Sequence, residues 1–306
     1  MELVVFYGRR QTVSILHSYI ERNLVDRGGM IHKVHFVVHT EDAADLAFLD
    51  QLLARQPRYV RVALEARNQM DFSVHYEWLP RDRLMFKIDD DVVFIEDGAF
   101  EAMLEEKLRN RFLFVSANVV NHPVLSTVHA QMAALVPYAP ANGRDPWIRG
   151  DPLRRKHGAF GDGPDLAKFN DGACTWGSWK CAAVSHENFL HDANAGQLDR
   201  YHFPVWDFHA YDTAVRWSIN AFVFNTDDIL GKINSTDDEQ LIAVEFSKQR
   251  NWHSGAAGKA IMAHYAYYPQ REGLNTNTGL IDRYRALAKR MCGYVLNEDG
   301  EYNVEY

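Results

Sequence analysis

The sequence predicts an α/β fold, a mostly parallel central sheet with helices on both faces. Three observations carry that expectation. Short apolar runs alternate with amphipathic runs through the N-terminal part of the chain, the pattern of strand–helix–strand units. The carboxyl end of each such strand is polar, as expected where ligands bind in such sheets. An apolar run at 83–95 climbs to three consecutive carboxylates, Asp89, Asp90 and Asp91, and then turns apolar again.

In chain order, 3–6 reads as a buried strand followed by the loop Tyr7, Gly8, Arg9 and Arg10. Residues 14–23 read as a helix, with Ile15, Leu16, Tyr19 and Ile20 on one face. A second strand at 34–38 ends in His39 and Thr40, a second helix spans 43–54, and 59–64 is a third strand. A helix or helical loop at 67–78 leads into the acidic strand. A helix at 98–109 and a strand at 112–115 follow. From about 137 to 169 Pro, Gly and Arg break the pattern, either as a flexible surface insertion or as a lid over a phosphate-bearing ligand. Later expectations are a strand at 217–224, a helix at 240–249 capped from the run 235–239, a strand-like stretch at 260–268 and a helix at 280–291.

Three acids in a row are costly in a core but useful at a strand mouth. In an extended backbone Asp89 and Asp91 point the same way and Asp90 the other. Two carboxylates on one side suit a hard cation, Mg²⁺ or Mn²⁺. An apolar strand, Asp-x-Asp and an apolar continuation resemble the DxD metal-binding motif of nucleotide-sugar glycosyltransferases with the GT-A fold.

That resemblance implies one domain over 1–306, with a nucleotide-sugar-binding half at 1–125 and an irregular acceptor-binding half at 126–306. It implies metal-dependent transfer of a sugar from a nucleoside diphosphate sugar, UDP favoured, to a hydroxyl of a glycan or other acceptor. Asp89, Asp91 and His264 would hold manganese or magnesium. Phe6, Tyr7, Gly8, Arg9, His39, Arg67, Asn68, Asp89, Asp90 and Arg271 would bind the donor. Asp238, with Asp237 and Glu239 beside it, would be the base of an inverting reaction. The ordinary alternatives are a helix cap for Asn68 and for 237–239, and a core position for His264.

No Gly-x-Gly-x-x-Gly follows the first strand and no glycine-rich loop ends in Gly-Lys-Ser/Thr, so dinucleotide and P-loop readings lack their main device. The net charge of −8 argues against nucleic acid as a partner. No apolar run approaches a transmembrane span, and three cysteines, Cys174, Cys181 and Cys292, read as reduced thiols, so a cytoplasmic enzyme is expected. Two other readings stand beside the transferase. One is a sugar-phosphate nucleotidyltransferase using Arg9 and Arg10 on a triphosphate. The other is a non-catalytic carbohydrate-binding protein that uses the tryptophans concentrated in the second half.

Overall fold

A computed structural model describes residues 1–64, 74–135, 173–210 and 213–302. Arg67, Asn68 and the insertion at 137–169 lie outside these residues.

Among the described residues nine strands form the main sheet: β1 (Glu2–Tyr7), β2 (Lys33–Val38), β3 (Tyr59–Val62), β4 (Leu84–Asp89), β5 (Val92–Ile95), β6 (Val115–Val120), β7 (Val205–Asp207), β10 (Ala221–Asn225) and β11 (Gly255–His264). Two short strands, β8 (His209–Ala210) and β9 (Thr213–Ala214), pair only with each other. The order across the main sheet is β3-β2-β1-β4-β10-β6-β11-β5, with β7 also on β11.

The N-terminal units behave as their patterning requires. Strands β3, β2, β1 and β4 are parallel neighbours. The helix Arg10–Arg22 follows β1 and buries Val13, Ile15, Leu16, Tyr19 and Ile20. The helix Ala43–Arg55 follows β2, and the Asp42 carboxylate caps it by accepting the N–H groups of Ala44 and Asp45.

Beyond β4 the plan changes. Strand β10 enters between β4 and β6 and runs antiparallel to both. Strand β11 is parallel to β6 but antiparallel to β5 and β7. Four of the eight pairings are therefore antiparallel, and the sheet curls into an open half-barrel. This corrects the expectation of a mostly parallel GT-A-type sheet. The physical reason lies in β10, which makes two of those four pairings, and in 92–95. This run does not extend the acidic strand; it is a separate edge strand, paired with the C-terminal β11.

Strand β11 joins β5 and β6 to β7. Its register against β6 shifts between Ala257 and Ile261, where Gly258 passes Phe203 so closely that a Cβ would lie 1.8 Å from the Phe203 carbonyl oxygen. Asn118 on β6 donates to the carbonyls of Gly258 and Tyr201, at 2.9 and 2.8 Å, and fixes that irregularity. Cys174 and Cys181 form a disulfide with Cα atoms 5.7 Å apart, which corrects the reading of these two as free thiols. Among the described residues no helix is long and apolar enough to cross a membrane.

Three buried histidines are held neutral. Burial pushes the imidazoles of His122, His129 and His186 down to about 3. His122 Nδ1 accepts the N–H groups of Val124 and Leu125, both at 3.1 Å. His186 Nδ1 accepts from the Tyr284 hydroxyl, while its Nε2 donates to the Tyr265 carbonyl, both at 2.7 Å. In the unfolded chain each would take up a proton near pH 6.5, roughly the free value. Below that pH the unfolded state binds more protons, so stability falls by about 1.4 kcal/mol per pH unit for each histidine, until the folded value is approached. Thermal melts at about pH 7 and about pH 5 should show a clearly lower Tm at the acid pH, and His129→Gln should reduce that drop. Equal Tm at both pH values would contradict the account.

Candidate metal centre

Asp89 is the last residue of β4, and the chain turns through Asp90 and Asp91 into β5. Because β4 and β5 are not neighbours, this turn carries the chain out of one part of the sheet towards its far edge. The antiparallel pairing of β5 with β11 sets His264 opposite Val92, with a register shift at Ala263/His264. The Tyr265 N–H donates to the Asp91 carbonyl at 2.8 Å and locks the two segments together. Asn121 donates to the carbonyls of His264 and Tyr265 and holds the end of β11 from the other side. His264 Nε2 consequently lies 3.1 Å from Asp91 Oδ1. One potential ligand atom from each of Asp89, Asp91 and His264 lies within 4.8 Å of the others.

The turn brings all three aspartates to a single cavity of about 440 Å³, which corrects the expectation that Asp90 faces away from the other two. Asp90 accepts the Gly8 N–H at 2.7 Å and pairs with the Arg9 guanidinium. Arg9 also reaches Asp91 at 2.9 Å, and Arg271 approaches Asp91 at 3.7 Å. Asp89 is held by the ammonium of the buried Lys87 and by Asn220 Nδ2 at 3.1 Å. Burial pushes the Asp90 carboxyl up to about 6, against the opposing pull of Arg9. Asp91 is just as buried, but Arg9 and His264 outweigh burial and hold it well below the usual carboxylate range.

The donor set suits a divalent cation. Asp91 Oδ1 is buried and has no aligned hydrogen bond, although His264 Nε2 is close. A buried carboxylate oxygen without a partner is costly, and a cation between these atoms would satisfy it. Two carboxylates and one imidazole are donors of the kind that hold a divalent cation.

Of the residues expected at this site, Phe6, Gly8, Arg9, His39, Asp89, Asp90, Asp91, Glu239, His264 and Arg271 line the cavity. Tyr7 does not; it is buried, and its hydroxyl donates to the Asp45 carbonyl at 2.5 Å. Arg10 turns to Asp42 and Asp45, so it does not join Arg9 in a triphosphate cradle. The run 237–239 divides three ways. Asp237 caps the helical segment that follows by accepting the Gln240 N–H, and it pairs with Arg216. Asp238 accepts the Tyr76 hydroxyl at 2.7 Å, and burial raises its carboxyl. Glu239 reaches the cavity while pairing with Arg216 at 2.9 Å, and burial raises its carboxyl too. Sequence reasoning missed His75, Asn220, Tyr267 and Tyr268 in the lining, and Lys87 behind it. Lys87 had a signal: a lysine in an apolar run, two residues before Asp89 and hence on the same face.

A second group that can hold a metal, Asp207, His209 and His253, lies outside the cavity lining. No family model and no curated protein matches this sequence. The mixed, curled sheet removes the basis for a GT-A glycosyltransferase. The DxD, UDP and sugar-transfer assignments that rested on that resemblance are withdrawn. What stands on geometry is a buried carboxylate–imidazole cluster in a cavity edged by arginines.

The Arg9 guanidinium is the main counter-charge to two buried acids, so Arg9→Ala should destabilise the fold. Breaking a buried pair costs about 3–5 kcal/mol, and the solvent that reaches Arg9 places this case at or below the lower end. Urea denaturation of the two proteins in EDTA measures it; a loss below about 0.5 kcal/mol, typical of an exposed pair, would show that the acids are balanced elsewhere.

Proposed function

We propose that this cavity binds a divalent cation, Mn²⁺ or Mg²⁺, at Asp89, Asp91 and His264, and through it a small ligand bearing phosphate groups. One observation carries the reading: the three acids of the turn already face three cations, Lys87, Arg9 and Arg271. Glu239 shares Arg216 with Asp237, which lies outside the cavity lining, so the charges at the cavity come close to balance. A dication entering so balanced a cavity leaves it positive, and the natural complement is an anion. Two vicinal phosphates fit the requirement, because they can share the cation and still present oxygens to arginine. The imidazole ligand tips the choice towards Mn²⁺.

When bound, the cation would neutralise phosphate oxygens and act on them as a Lewis acid. The chain's own residues have separate tasks. Arg9 and Arg271, which lie against Asp91, would pair with the phosphate oxygens. The Gly8 N–H and Arg9 fix Asp90, so that the loop after β1 stays against the site. Glu239, whose carboxyl is raised by burial, is the group placed to take a proton from a hydroxyl or water in the cavity. Asp238 stays behind it, occupied by Tyr76.

Calorimetric titration with pyrophosphate tests this. Binding should be tight with Mn²⁺, and weak in EDTA. Asp91→Asn should weaken Mn²⁺ binding by about tenfold or more, since even outer partners of metal ligands contribute that much. Arg271→Ala should spare Mn²⁺ and weaken pyrophosphate. Equal pyrophosphate affinity with and without Mn²⁺, or an Asp91→Asn protein that binds Mn²⁺ like the parent, would sink the proposal.

A further inference from the structure

We propose that Asp207, His209 and His253 form a second, independent metal site, selective for a borderline transition ion of the Zn²⁺ type, that clasps the β7–β8 segment to the start of β11. The argument begins with register. Strand β7 pairs with β11 so that Asp207 faces Gly255, and the Phe208 N–H donates to the Ser254 carbonyl at 2.9 Å. Continued by one residue, this register sets His209 opposite His253. Residues two apart on a strand, and residues directly opposite, share a face. Asp207, His209 and His253 therefore converge, while Gly255 opposite Asp207 accommodates the Phe112 ring, which a Cβ there would meet at 2.7 Å.

The two imidazoles lie parallel, with ring centroids 3.8 Å apart and planes 2° apart. The Asp207 carboxylate spans both: Oδ2 lies 2.8 Å from His253 Nδ1 and Oδ1 lies 3.5 Å from His209 Nδ1. In this stacked arrangement the ring nitrogens point along parallel planes, so closing on one ion takes a rotation of one ring, which the exposure of His253 permits. The ligand atoms fall within 4.8 Å of one another, as closing on one small ion requires. Two imidazoles and one carboxylate suit zinc-type ions over magnesium, the reverse of the balance at Asp89, Asp91 and His264. Asp207 and His253 are 44% and 41% exposed, so a fourth position stays open to water. The inference does not depend on the function proposed for the first site.

Equilibrium dialysis against Zn²⁺ after EDTA treatment tests it, with the first centre disabled by Asp91→Asn or, should that protein misfold, by His264→Gln. Such a protein should keep one Zn²⁺ per chain and gain Tm on binding it. Adding His253→Asn should raise the Zn²⁺ Kd about tenfold or more and abolish the Tm gain, with unchanged circular dichroism. His253→Cys should restore binding, because a thiolate is also a zinc ligand. Failure of the disabled protein to bind Zn²⁺, or equal binding with and without His253, would overturn the proposal.

Discussion

The acidic turn at 89–91 can be buried only because positive charge meets it from three parts of the chain. Lys87 comes from the same strand, Arg9 from the loop after β1, and Arg271 from the helix Tyr268–Asn277 that follows β11. Without them each carboxylate would pay desolvation unaided. The pairings also explain why neighbouring acids behave differently. Asp90 is pushed up by burial, whereas Asp91 sits between Arg9 and His264 and stays ionised. The cluster of Asp89, Asp91 and His264 could hold a divalent cation within this arrangement of charges.

The sheet delivers these groups through its change of direction. The parallel block β3-β2-β1-β4 places the loop after β1 beside the end of β4. The antiparallel pairing of β5 with β11 then returns the C-terminal part of the chain to the same place and brings His264 to Asp91. The same long strand carries β7 on its other end, and with it the second cluster of Asp207, His209 and His253. One strand thus serves two groups of different donor chemistry, one rich in carboxylate and one rich in imidazole.

Much of the first site was legible in the sequence. Consecutive aspartates after an apolar run announce a strand end, and Arg9 after the first strand falls where parallel packing puts it. His264, a lone histidine in an apolar stretch, was singled out by a resemblance whose fold does not hold, and its place beside Asp91 comes from strand pairing. The direction of β10 and the partner of β5 were not legible, because apolar patterning gives the face of a strand and not its neighbour. The same limit hid Tyr267 and Asn220, which meet only through the fold, the Tyr267 hydroxyl donating to Asn220 at 2.9 Å. It also hid the second cluster, since His253 lies far from Asp207 in the chain and only strand register joins them.

The most direct measurement is anomalous diffraction at the manganese edge from crystals soaked in Mn²⁺. The account predicts a peak within about 2.5 Å of ligand atoms on Asp89, Asp91 and His264, with the Arg9 guanidinium moved off Asp91. A map in which Arg9 still holds Asp91 and no manganese lies among these three residues, while Mn²⁺ binds elsewhere on the protein, would contradict it.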